Sequence, residues 1–178
     1  VVVKVAPHAG AEASILDRLI HNNIVPIYSL RHDETTGLEA FCMPYLGQAT
    51  LADVLSAFYG KAPPRRGTDL LAALAKRNRE VQLAESKPCD PVLRGGSYVD
   101  SVIHVVAQLA DALAHSHDRG VFHRDLKPSN ILMTPWGQPL LLDFNLSVDA
   151  NLPICKIGGT LPYMAPEEVN HFASIESS

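Results

Sequence analysis

The stretch FHRDLKPSNILM, residues 122–133, brings an acid, a cation and an amide close together: Asp125, Lys127 and Asn130 fall within six residues. Pro128 stiffens the chain between the last two. Ile131, Leu132 and Met133 then form a short apolar run that reads as a strand. TPWGQ follows as a turn, and PLLLDFNLS, residues 139–147, brings the chain back as the second strand of a hairpin. That strand ends in Asp143, a costly place for a carboxylate unless something pairs with it. An amide and a carboxylate at the ends of neighbouring strands can share a hard cation such as Mg2+, which takes few protein oxygens and leaves positions for phosphate and water. Asp125 is then free to orient or deprotonate a hydroxyl, and Lys127 to neutralise a transferred phosphoryl group. Phosphoryl transfer requires this set of roles. Taken singly, a D-x-K pair or an acid at a strand end is more often a turn or a solvated cap. The inference rests on the joint pattern, H-R-D-x-K-x-x-N followed by D-F on the next strand.

Outward from this centre, residues 98–117 carry the longest amphipathic helical pattern. Val102, Val105, Val106, Leu109 and Leu113 share one broad face, and Gly120 ends the helix. His104, Gln108 and Asp111 within it exclude a membrane span. TLADVLSAFYG starts a short helix with Thr50 as N-cap. Residues 24–30 and 38–45 read as strands joined by the polar turn RHDETTG. VVVKV at 1–5 reads as a buried strand carrying Lys4, and Ile15, Leu16, Leu19 and Ile20 recur with a helical period.

Residues 61–97 break the pattern. The stretch is proline-containing and locally basic, with Lys61, Arg65, Arg66, Lys76, Arg77, Arg79, Lys87 and Arg94. TDLLAALAKRNREVQLAES inside it is long enough for one helix. The stretch reads as a surface insertion. A docking patch for an acidic partner is the sharper alternative.

FHRDLKPSNILM resembles the catalytic loop of protein kinases, LLLDFN their metal-binding segment, and GGTLPYMAPEE the end of their activation segment. Lys127 resembles the serine/threonine branch, and the overall wording is most similar to bacterial eukaryotic-type (Hanks-type) kinases. The resemblance implies an α+β, two-lobed kinase-like fold, incomplete at both ends. A partial N-lobe would occupy residues 1–43, and a hinge with a partial C-lobe residues 44–178, interrupted by an insertion at about 56–97. It also implies ATP with Mg2+, or Mn2+ in its place, and a protein substrate carrying Ser or Thr.

The same resemblance assigns roles. Asp125 is the hydroxyl-orienting base, Lys127 the phosphate neutraliser, and Asn130 and Asp143 the metal ligands. Lys4 touches the nucleotide phosphates and pairs with Glu12. Val2 and Leu132 sandwich adenine, Met43 is the gatekeeper, and the backbone of Pro44 and Tyr45 faces the base. Pro44 lacks an N–H and offers only its carbonyl. Leu16, Ile27, His123 and Phe144 stack as a spine, which makes His123 a packed residue rather than a base. His115 and His117 read as an exposed helix end. Arg124, Phe144, Asn145, Thr160 and Glu167 belong to the activation segment. Asn145 stands where the family has Gly; Asn tolerates positive φ, so metal binding survives while loop switching slows. The segment 146–159 has one hydroxyl, Ser147. Loop phosphorylation is therefore not expected to be the main switch, and Asp149 would supply Arg124 with a fixed negative charge.

The totals agree with this. Of 178 residues, 47% are hydrophobic and 19% charged, as in a soluble globular protein, and the net charge of −4 gives no sign of nucleic-acid binding. Cys42, Cys89 and Cys155 are odd in number and widely spaced, which suits a reducing, cytoplasmic setting. No membrane segment stands out. The glycine-rich loop and the helices after A-P-E are not in the sequence, so residues 1–178 alone are expected to be weakly active. A pseudokinase scaffold is the alternative from another class; none of Lys4, Glu12, Asp125, Lys127, Asn130 and Asp143 is lost. A small-molecule kinase is a weaker third reading.

Overall fold

A computed structural model describes residues 1–7, 19–79, 87–144, 148–149, 160–167 and 169. The architecture is mixed α+β. Strands β1 (Val2–Pro7), β2 (Ser29–Asp33) and β3 (Leu38–Met43) form an antiparallel sheet in the order β1-β3-β2. The β2–β3 turn follows from its residues. Asp33 accepts hydrogen bonds from the Thr36 hydroxyl at 2.7 Å and the Thr35 N–H at 3.0 Å, and Gly37 supplies a left-handed φ of 66°.

Two strand expectations change. The valine run is not buried: Val1, Val2, Val3 and Val5 are all exposed, and among the described residues β1 pairs with β3 alone, with no second layer over its side chains. The strand expected at 24–30 begins only at Ser29. Residues 23–25 run alongside the hairpin instead, with the Leu141 N–H donating to the Asn23 carbonyl and the Val25 N–H to that of Leu141.

The helical part holds α1 (Leu51–Phe58), α2 (Gly67–Arg77), α3 (Pro91–Gly95) and α4 (Tyr98–His117). Thr50 caps α1 as expected, in a reciprocal capping box with Asp53. Ser97 and Asp100 do the same for α4, whose limits match the sequence pattern. The buried face of α4 is rotated from the expected one. Ser101, Val105, Leu109, Ala112 and Ser116 are buried, whereas Val102 and Val106 are exposed. Small side chains let neighbouring backbone approach: a Cβ on Gly67 would meet the Ser101 Oγ at 2.2 Å. His117 is exposed as expected, but His115 is half-buried with its ring 4.9 Å from that of His21.

The described part of the insertion is not confined to the surface. Leu70 and Leu74 of α2 and Leu93 of α3 join the same core as Val105, Leu109, Met133 and Leu141. Nor does its helix run through to residue 86. It ends at Arg77, where the Asn78 side chain donates to the Leu74 carbonyl.

Beyond α4, β4 (Val121–Phe122) pairs with β7 (Val148–Asp149), and β5 (Ile131–Met133) with β6 (Pro139–Leu141) in the expected hairpin. Cys42 and Cys89 are free thiols, and Cys155 lies outside the described residues. No helix among the described residues is long and apolar enough to cross a membrane.

Candidate active site

The segment between β4 and β5 is a tight loop that closes in a 3-10 turn, Pro128–Asn130, seated against α1. Asn130 is buried, and its amide nitrogen donates to the Asp125 backbone carbonyl at 2.8 Å and to Asp125 Oδ2 at 3.0 Å. The Lys127 ammonium reaches the same Oδ2 at 2.7 Å and the Thr160 hydroxyl at 2.6 Å. The Thr160 hydroxyl in turn donates a hydrogen bond to Asp125 Oδ1 at 2.8 Å. Both oxygens of Asp125 are thus held. Burial opposes its ionisation, but the hydrogen bonds from Lys127, Thr160 and Asn130, with the Lys127 charge, outweigh this. They hold the carboxyl below the ordinary aspartate range.

His123 supports the loop from beneath. It is 2% exposed, its Nε2 donates to the Leu142 carbonyl at 2.7 Å, and its Nδ1 accepts from the Asp125 N–H at 3.3 Å. Burial pushes its pKa down, so the neutral ring is favoured, with the proton on Nε2. Its ring lies 4.7 Å from that of Phe144. The expected packing of these two rings is present; Ile27 is half-buried and Leu16 lies outside the described residues.

Asp143 follows β6 with a left-handed backbone, φ 56°, and its Oδ1 accepts from the Lys4 ammonium at 2.7 Å. Lys4, Asp125, Lys127, Asn130, Asp143 and Thr160 are therefore linked as two hydrogen-bonded groups. Glu12, the expected partner of Lys4, and Asn145 lie outside the described residues, as does the Asp149 side chain expected to face Arg124. Val2 pairs with Met43 in the β1–β3 register, Leu132 is buried on β5, Pro44 is half-buried, and Tyr45 and Glu167 are exposed.

Two roles were not anticipated. Asn130, expected among the catalytic residues and as a metal ligand, also holds Asp125 in place. Asn23 was given no role, yet it is buried and donates to Gln108 Oε1 at 2.9 Å and to the Pro139 carbonyl at 2.8 Å, which fixes the hairpin behind the catalytic turn. The signal for Asn23 was a polar residue inside HNNIV, next to apolar Ile24 and Val25.

A family model described as protein kinase domain matches residues 3–177. This chain belongs to the protein kinase family. Among relatives, the kinase domain is 30% identical over 177 residues to serine/threonine-protein kinase PknD of Protochlamydia amoebophila (strain UWE25), covering 88% of this chain and 15% of that one. It is 26% identical to the PknD of Chlamydia abortus (strain DSM 27085 / S26/3), covering 94% of this chain and 17% of that one. Ribosomal protein S6 kinase alpha-3 of Homo sapiens is 37% identical over 116 residues, covering 64% of this chain and 13% of that one. The chain spans less than a fifth of the length of these curated relatives. Both PknD proteins are named serine/threonine-protein kinases, and the protein kinase family generally uses ATP and Mg2+.

The donor set of this kinase domain suits that metal. Asn130 spends its amide N–H groups on Asp125, which leaves its side-chain oxygen without a hydrogen bond among the described residues. Asp143 adds a carboxylate that is 42% exposed. Two hard oxygens with room for phosphate and water match what Mg2+ prefers.

Proposed function

We propose that the kinase domain transfers the γ-phosphoryl group of ATP to a Ser or Thr hydroxyl of a protein. The observation that carries this reading is Asp125, a carboxylate kept ionised by donors on both of its oxygens. The substrate oxygen attacks the γ-phosphorus while the bond to the β–γ bridging oxygen breaks. Its electron pair leaves on ADP, and the hydroxyl proton passes to Asp125. Lys127 offsets charge on the transferred group. Lys4 binds the nucleotide phosphates, with Glu12 as the ion-pair partner that orients it. Val2, Leu132, Met43 and the backbone of Pro44 and Tyr45 enclose the adenine. Asn130 and Asp143 would hold Mg2+, or Mn2+ in its place, which supplies charge neutralisation on the phosphates when bound.

The Lys127–Thr160 hydrogen bond supports a peptide-type acceptor, since it ties the residues before A-P-E to the catalytic turn. Control by Arg124 and Asp149 belongs to the same reading, as does an acidic partner for the basic stretch. We place the domain in the cytoplasm, where free Cys42 and Cys89 persist and ATP is abundant. No observation favours a scaffold without catalysis.

The test is phosphate transfer from ATP to a generic protein substrate by the full-length protein, wild type against Asp125→Asn. The variant should lose about 10²–10⁴-fold in rate with nucleotide affinity retained. Equal rates would remove the proposal.

A further inference from the structure

Helices α1 and α2 leave between them a groove of about 1110 Å3 that contains none of the residues placed at the active site. It exceeds the roughly 300–1,000 Å3 usual for small-molecule pockets. Five basic side chains line it, Lys61, Arg65, Arg66, Lys76 and Arg77, in a chain whose net charge is −4.

The two acids at its edge are already engaged. Asp53 pairs with Arg77 at 3.3 Å, and Asp69 accepts the backbone N–H groups of Arg65 and Arg66 at 2.9 and 3.1 Å. Arg65 and Lys76 have no acidic partner among the described residues. The backbone that carries the arginines is pinned: the Tyr98 N–H donates to the Arg65 carbonyl at 2.9 Å, and the Gly67 N–H to that of Gly96 at 3.1 Å. The charges are thus presented from a fixed frame, which reduces the ordering cost of binding. Phe58, Pro63, Pro64 and Ala73 add apolar wall.

We infer that this groove docks an acidic segment of the protein substrate. The inference rests on the kinase reading for the word substrate; the groove and its charge stand apart from it. Net positive charge selects an anionic occupant. A recess with Asp53 and Asp69 at its wall disfavours a flat anionic membrane. Nucleic-acid bases would need aromatic faces to stack on, and the one aromatic ring in the wall, Phe58, is packed edge-on against Tyr98. Helix α1, which lines the groove, also contacts the Pro128–Asn130 turn, so an occupant lies against the same helix that supports the loop of Asp125. Docking there raises the local concentration of an acceptor hydroxyl.

The test uses the full-length kinase and a fluorescein-labelled peptide rich in Glu and Asp, followed by anisotropy. Wild type should bind, more tightly as salt is lowered. The triple variant Arg65→Ala/Arg66→Ala/Lys76→Ala should bind about tenfold more weakly. A charge-preserving variant, Arg65→Lys/Arg66→Lys, should keep most of the affinity, which separates charge from folding. Asp125→Asn should bind like wild type. In turnover, an acidic extension on a Ser-containing peptide should lower KM about tenfold with kcat unchanged, and the triple variant should abolish that difference. Absence of peptide binding, wild-type binding by the triple variant, or equal binding of phosphatidylserine vesicles or single-stranded DNA through the same residues would overturn the inference. If the peptide binds but nothing is phosphorylated, the groove stands and the kinase reading falls.

Discussion

The ammonium of Lys4 lies 2.7 Å from a carboxylate oxygen of Asp143, across 139 residues of sequence. The pair joins the edge strand β1 to the end of the β5–β6 hairpin. Both side chains are partly open to solvent, at 29% and 42%, so the pair contributes little to stability. What it fixes is the distance between a cation and the carboxylate proposed to face the nucleotide phosphates.

Lys4→Met should therefore separate stability from activity. Urea unfolding should shift by about 1 kcal/mol or less, while phosphate transfer by the full-length kinase should fall about 10²–10³-fold. Retained turnover would show that Lys4 does not serve the nucleotide.

Thr160 links Lys127 to Asp125 through its hydroxyl. Removing it in Thr160→Val leaves both charged groups one partner short, at about 1.5–3 kcal/mol. The rate of phosphate transfer should drop roughly 10- to 100-fold, and Thr160→Ser should restore most of it. If Val and Ser variants behave alike, the hydroxyl has no part in the reaction.

Leu74 and Leu93 are fully buried. Leu74→Ala or Leu93→Ala should cost about 2–5 kcal/mol in chemical denaturation. Val102→Ala, on the exposed side of α4, should stay within about 0.5 kcal/mol of wild type. A small effect at Leu74 and Leu93 would restore the reading of this region as a surface appendage.

How legible each part was depended on how local its signal was. The catalytic turn and the hairpin are contiguous, and Pro128, Asn130 and the apolar runs around them leave few alternatives. The Lys4 contact is long-range, and only resemblance placed that lysine near phosphate. VVVKV reads as buried because an apolar run looks the same whether or not another layer covers it; among the described residues β1 pairs with β3 alone. Helix α4 misled in a related way. Its valines suggested the buried face, but contact is made through Ser101 and Ser116, where small side chains admit close neighbours. Around Leu70 and Leu74 the charges and prolines outweighed a helical leucine spacing that was in plain view.

Stability should depend on pH through His123. Burial lowers its pKa, only partly offset by the Leu142 carbonyl and the charges of Asp125 and Asp143. The unfolded chain, with an ordinary value near about 6.5, binds the proton more readily. Stability is then fully present above that value and is lost as pH falls below it, by at most about 1.4 kcal/mol per pH unit. Urea midpoints between about pH 7.5 and 5.5 should show the decline, and His123→Gln should flatten it whatever its offset. An unchanged slope in the variant would assign the effect to another group.

Arg124 and Asp143 both hold left-handed backbone, at φ 60° and 56°, with a Cβ that disfavours it. Glycine at either place would relieve at most about 1–2 kcal/mol of backbone cost, less the freedom it adds to the unfolded chain. Selection for heat resistance and selection for chemistry therefore diverge at position 143. A library enriched for thermal hardness alone should drift to glycine at both, whereas one that must also turn over ATP should keep the acid at 143.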